Sequence, residues 1–137
     1  MIKLMDVIDA LESVNMDTTF VYNKKECRII CLCDGMFNAE ENEELLEEIE
    51  FSDDYISLPD QYDIHEYKMM ADFVDTIKDE RFQNQLYAAL HGKGVFRRFK
   101  DTVYRFGIEK DWFKYRDEQY RRIAIEWCEK HNIEYQE

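Results

Sequence analysis

A chain of 137 residues with 18 Lys/Arg against 31 Asp/Glu carries a formal charge of −13, and its 45% hydrophobic content is enough to build one core. That charge repels nucleic acid and anionic membrane at long range, and one proline with four glycines excludes a long flexible linker or low-complexity tail. No apolar run is long enough to span a bilayer, and acidic Asp6 falls where a signal peptide needs its apolar region, so the expectation is a cytoplasmic protein.

Residues 3–14 set Leu4, Val7, Ile8 and Leu11 on one stripe with Asp6, Asp9 and Glu12 opposite, the pattern of a short amphipathic helix. Residues 18–22 and 28–32 are β-branched and apolar around the polar Asn23-Lys24-Lys25-Glu26, which predicts a hairpin. The second of these strands is apolar on both faces, so it is expected to lie centrally or to be covered on both. Asn38, with Glu41 three residues on, reads as the N-cap of an acidic helix to about Phe51 that turns Leu45, Leu46 and Ile49 inward. Residues 55–58 form a third, short strand ended by Pro59.

After Asp60 and Asp63, a helical stripe runs through Ile64, Tyr67, Met70, Ala71, Val74 and Ile77. Past Asp79-Glu80 the next stripe is Phe82, Leu86, Tyr87 and Leu90, with Gly92 as its C-cap. A helix through Val95, Phe96, Phe99, Val103 and Phe106 stops at Gly107. Asp111 then opens a long helix in which Tyr120, Ile123, Ala124, Trp127 and His131 share a face, up to Asn132. The order predicts an α+β fold: a small antiparallel sheet of about three strands with a C-terminal bundle of about four helices. It reads as a single domain over 1–137, with an acidic helix and hairpin part at about 1–59 and a helical part at about 60–137.

Charge is spread unevenly. Residues 1–91 sum to −15, residues 92–122 to +5 and the last fifteen to −3. The basic stretch is centred on Gly92-Lys93-Gly94-Val95-Phe96-Arg97-Arg98-Phe99-Lys100-Asp101. Backbone N–H groups at its glycine turn, with Lys93, Arg97, Arg98 and Lys100, can grip a phosphate or carboxylate. The same residues can instead make a tight interhelix turn with Arg98 paired to Asp101 or to a neighbouring helix. It is not a Walker A loop, because the four-residue spacer and the Mg²⁺-binding Ser/Thr are missing. Farther on, Trp112, Phe113 and Tyr115 stand among Lys110, Lys114 and Arg116. Such aromatics can form a partner surface, stack on single-stranded nucleic acid or make the core contact of the last two helices.

Four cysteines, Cys27, Cys31, Cys33 and Cys128, are expected to be reduced and buried in the core. Cys31-Leu32-Cys33 lacks the spacing of a zinc pair, so no metal and no cofactor are expected. His91 beside Lys93 can move a proton at a bound anion, but a histidine in a helix's last turn also serves the helix dipole. No nucleophile elbow, metalloprotease motif or dinucleotide fingerprint occurs, so catalysis is not expected.

Ile56-Ser57-Leu58-Pro59, Glu66-Tyr67-Lys68-Met69-Met70, the run from Gly92 to Asp101, Trp112-Phe113-Lys114-Tyr115 and Ala124-Ile125-Glu126-Trp127 resemble the bacterial uncharacterised protein family 0158. The resemblance is strong over residues 54–133 and loose over the hairpin. At Val95 the family pattern more often has alanine. The resemblance implies a small bacterial cytoplasmic protein and carries no activity across. From the residues themselves, the expectation is a non-enzymatic binding or regulatory module. Its ligand-binding residues are Gly92, Lys93, Gly94, Arg97, Arg98 and Lys100, and its partner-binding residues Trp112, Phe113 and Tyr115. The partner is another protein or a small phosphorylated ligand. Two other readings stand beside it: an acidic inhibitor or immunity-type protein that blocks a basic site through residues 38–54, and an enzyme on a phosphorylated substrate.

Overall fold

Strand and helix alternate only in the first half of the chain. The computed structural model describes residues 1–15, 17–33 and 39–137, and their side chains except those of residues 33 and 39–42. In chain order these form β1 (Ile2–Lys3), α1 (Leu4–Glu12), β2 (Thr18–Asn23), β3 (Arg28–Cys33), α2 (Ala39–Phe51) and β4 (Tyr55–Ser57). There follow α3 (Gln61–Ile64), α4 (Glu66–Asp75), α5 (Glu80–Ala89), α6 (Val95–Arg105), α7 (Glu109–Lys130) and β5 (Tyr135–Gln136). The fold is α+β. Residues 1–64 and 120–137 make one compact unit, and residues 65–119 a second.

The first unit is built on an antiparallel sheet of order β3-β2-β4. The hairpin turn is held by the Asn23 side chain, whose Oδ1 accepts the amides of Lys25 (3.0 Å) and Glu26 (3.2 Å). It is β2 that lies centrally and buries Val21, Tyr22 and Asn23, while β3 takes an edge with Ile29 to Leu32 half-buried. Apolarity on both faces of β3 was therefore a poor guide to its position, because a half-covered edge tolerates the same residues. The bonds Leu58 N–H to Phe20 O (3.0 Å) and Lys24 N–H to Asp54 O (2.8 Å) fix the β2–β4 register. They leave the backbone of Ser57 facing outward. There the indole Nε1 of Trp127 donates to the Ser57 carbonyl at 2.9 Å and blunts the sheet edge. The Trp127 ring meets Tyr22 edge-on, with centroids 6.0 Å apart.

Around the sheet, α1 buries Leu4, Val7, Ile8 and Leu11, as its stripe requires, and the end of α7 buries Tyr120, Ala124, Trp127 and Cys128. The parallel pairing of β1 with β5 has no signature in the sequence, since two residues carry no periodicity. In α2, Leu45 and Ile49 are half-buried but Leu46 is 47% exposed, contrary to the inward placement expected. Asn38, the expected cap of that helix, lies outside the described residues. The cysteines divide: Cys128 is buried, Cys31 half-buried, and Cys27 exposed in the hairpin turn at φ +52°. Cys27 escapes the core because the turn needs a residue there and the strand only begins at Arg28.

The second unit is helical: α4, α5, α6 and the first part of α7. Asp79 caps α5 through a bond from the Phe82 amide to its side chain (3.1 Å). The helix α7 begins two residues before the expected Asp111, with Trp112 N–H donating to Ile108 O at 3.1 Å. Aromatic rings make the centre of this unit. Phe73 lies 5.3 Å from Trp112, 5.5 Å from Tyr115 and 6.4 Å from Phe99, and Phe99 meets Trp112 edge-on at 5.0 Å. Met70, Val74, Leu86 and Val103 complete the core. Among the described residues no helix is long and apolar enough to cross a membrane.

Candidate functional site

The basic segment opens with two glycines in the left-handed region, Gly92 at φ +89° and Gly94 at φ +69°, a backbone that L side chains adopt only under strain. From Gly94, α6 runs for eleven residues and buries Phe99, Thr102 and Val103. That buried stripe divides the remaining positions into two flanks.

On one flank stand Arg98 and Arg105, seven residues apart. Arg98 donates from Nε to the Ala89 carbonyl (3.2 Å) and from Nη2 to the His91 carbonyl. The Tyr67 hydroxyl donates to the intervening Leu90 carbonyl at 3.0 Å. The last carbonyls of α5, which have no partner within their own helix, are thus satisfied from two other helices. Gly92 sits beneath the Arg98 guanidinium, where an added Cβ would come within 3.4 Å of Nη2. Arg105 bonds the Gln85 side chain at 3.0 Å and lies 5.1 Å from the Phe106 ring, which stacks on Phe82 at 4.2 Å. This flank faces α5.

On the other flank Phe96, Lys100 and Tyr104 follow one another at four-residue steps, with Arg97 beside them. Phe96 is 49% and Tyr104 56% exposed, and Arg97 and Lys100 are exposed too. Tyr104 meets Phe113 of α7 edge-on at 6.2 Å, and Phe113 is itself 43% exposed. Two cations and three aromatic rings therefore share one open face. Lys93 is exposed in the turn just before the same helix.

Of the nine residues singled out in the sequence, this face brings together Arg97, Lys100 and Phe113. Arg98 serves the α5 terminus with Gly92 against it, Gly94 forms the N-cap backbone, and Trp112 and Tyr115 contact Phe73 in the core. Neither Phe96, which reads with the apolar stripe of α6, nor Tyr104 is among those nine. The signal was present in their four-residue step through Lys100, which lies off the stripe through Phe99 and Val103. His91 is exposed beyond the α5 C-cap, and its carbonyl, not its ring, is what the turn uses. Among the described residues no group of three His, Cys, Asp or Glu can hold a metal ion.

The model of the uncharacterised protein family UPF0158 matches residues 1–136, including the hairpin that the resemblance covered only loosely. The UPF0158 protein PA5073 of Pseudomonas aeruginosa is similar, with 27% identity over 67 residues. The match spans 48% of this chain and 44% of that protein. No solved structure matches. With the family model extending over nearly the whole sequence, the chain belongs to the uncharacterised protein family UPF0158.

Proposed function

We propose that this protein is a non-enzymatic binding or regulatory module whose contact face is the Phe96–Lys100–Tyr104 flank of α6, completed by Arg97 and Phe113. The observation that supports it most is the exposure of three aromatic rings and two cations side by side, on the flank that α5 does not use. Aromatic and arginine side chains are the groups that dominate protein interfaces. The partner fitted to them is a protein segment that brings carboxylates next to apolar side chains. Three rings beside the cations favour such a segment over a small phosphorylated ligand, which needs donors but little apolar area.

A photo-crosslinking residue placed at Lys100, compared with one at Arg105, tests this in cells. The Lys100 position should capture one discrete protein, and the capture should vanish when Arg97→Glu is added. Equal capture at both positions, or none at Lys100, overturns the proposal.

A second reading rests on α2, where Glu43, Glu44, Glu47 and Glu50 are exposed and Phe51 is 83% exposed. This acidic face, with an apolar anchor at its end, suits an inhibitor that covers a basic site. It is favoured if the captured protein is strongly basic and is lost with Glu43→Lys/Glu47→Lys rather than with Arg97→Glu.

A further inference from the structure

A second site, independent of the α6 face, lies in the first unit. Between the exit of β4 and the last two turns of α7 is an open cleft of about 380 Å³, within the size range of small-molecule sites. Its floor is apolar. Leu58 and Trp127 are 5% and 6% exposed there, and Ile123 lies half-buried beside them. The indole is held in place by its bond to the Ser57 carbonyl (2.9 Å) and by Tyr22 edge-on behind it. The floor is therefore a fixed surface and not a rotamer that happens to open.

The rim carries charges of both signs. Asp63 and Glu126 contribute carboxylates and Lys130 an ammonium, all three exposed. Asp63 uses Oδ2 for the Asp60 amide at 3.1 Å, and Glu126 is 3.9 Å from Arg122, too long and too exposed a contact to occupy it. The His131 ring lies 5.7 Å from Trp127, and burial, with Lys130 and Lys24 nearby, lowers its pKa below the usual value. Near neutrality the imidazole is then uncharged, and Lys130 is the cation on this side of the cleft. Ser57, whose carbonyl is taken by the indole, points its N–H the same outward way.

We propose that this cleft binds a small zwitterion of the α-amino-acid class with an apolar side chain. The ligand's ammonium group is set between Asp63 and Glu126, its carboxylate meets Lys130 and the Ser57 N–H, and its side chain lies on Trp127, Leu58 and Ile123. A simple anion is repelled by the two carboxylates, and a simple amine leaves Lys130 without a counter-charge. Only a ligand with both charges and an apolar body satisfies rim and floor together.

The test is a thermal-melting screen of the full chain with L-leucine, L-methionine and L-phenylalanine at about 10 mM each, followed by calorimetry on any that raise the melting temperature. Alongside run the N-acetylated and the amidated forms of the same amino acids, and the variants Glu126→Gln and Lys130→Gln. At least one free amino acid should raise the melting temperature. Blocking its amine, blocking its carboxylate, or making either substitution should each weaken binding about tenfold or more. No shift with any of the three overturns the proposal, and so does a blocked form, at either end, that binds as tightly as the free amino acid. If a variant fails to fold, the blocked ligands on the unaltered protein still decide.

Discussion

Arg98 shows how a residue that looks like an anion hook is committed to the fold. Its guanidinium closes the α5 terminus at Ala89 and His91 and covers Gly92. Arg98→Ala should lower stability by about 1–2 kcal/mol in urea unfolding, because each charge-assisted bond is replaced by one to water. Arg98→Lys should recover only part, since one ammonium cannot span both carbonyls. Gly92→Ala should cost about 1 kcal/mol or more, because φ +89° strains any L side chain. Cys128 adds a pH dependence. Burial, with Glu129 adjacent, pushes its thiol up from 9.0 to about 11. Below pH 9.0 the thiol is protonated in both the folded and the unfolded chain and contributes nothing. Between 9.0 and about 11 the unfolded chain gives up a proton that the folded one keeps, so stability falls as pH rises. Tyr22, buried and next to Cys27, is pushed up to about 12 and extends the fall in the same direction. Melting temperature measured from pH 8 to 11 should decline, and less steeply in a Cys128→Ser variant.

At the scale of elements, hydrophobic period was the informative signal and pairing the uninformative one. The helix α1, the hairpin, β4 and the helices from α4 onward could be read from stripes, glycines and Asp caps, since those features act within a few residues. The edge position of β3, the β1–β5 pair and the Trp127–Ser57 contact could not, because they depend on segments far apart in the chain, 70 residues for Trp127 and Ser57 and nearly the whole length for Ile2 and Tyr135. The same division applies to the site. That α6 is basic and amphipathic is visible in its residues. Which basic residues remain open depends on where α5 packs. Arg97 and Arg98 are neighbours in sequence with indistinguishable chemistry, and only the packing assigns them to opposite flanks. The blunted sheet edge makes its own prediction: Trp127→Phe keeps the ring and removes the donor to Ser57. It should destabilise the protein by about 1–2 kcal/mol, with faster amide hydrogen exchange at residues 55–57 as the specific readout.

The molecule as a whole is acidic at −13 with one basic stretch of +5 at residues 92–122. A partner approaching from a distance meets a negative field, so the docking proposed for α6 is short-range and draws on the aromatic rings as well as on charge. Binding there should therefore show weak dependence on salt, in contrast to capture through the acidic α2 face, which should fade steeply as salt rises. The measurement that tests the α6 assignment most directly is the affinity of the captured partner for two double variants, one on each flank. Arg97→Glu/Lys100→Glu should weaken it about a hundredfold or more while melting within a few degrees of the unaltered protein. Arg98→Gln/Arg105→Gln should lose stability and keep most of its affinity. Full affinity in the first pair, or equal loss in both, would contradict the open flank of α6 as the binding face.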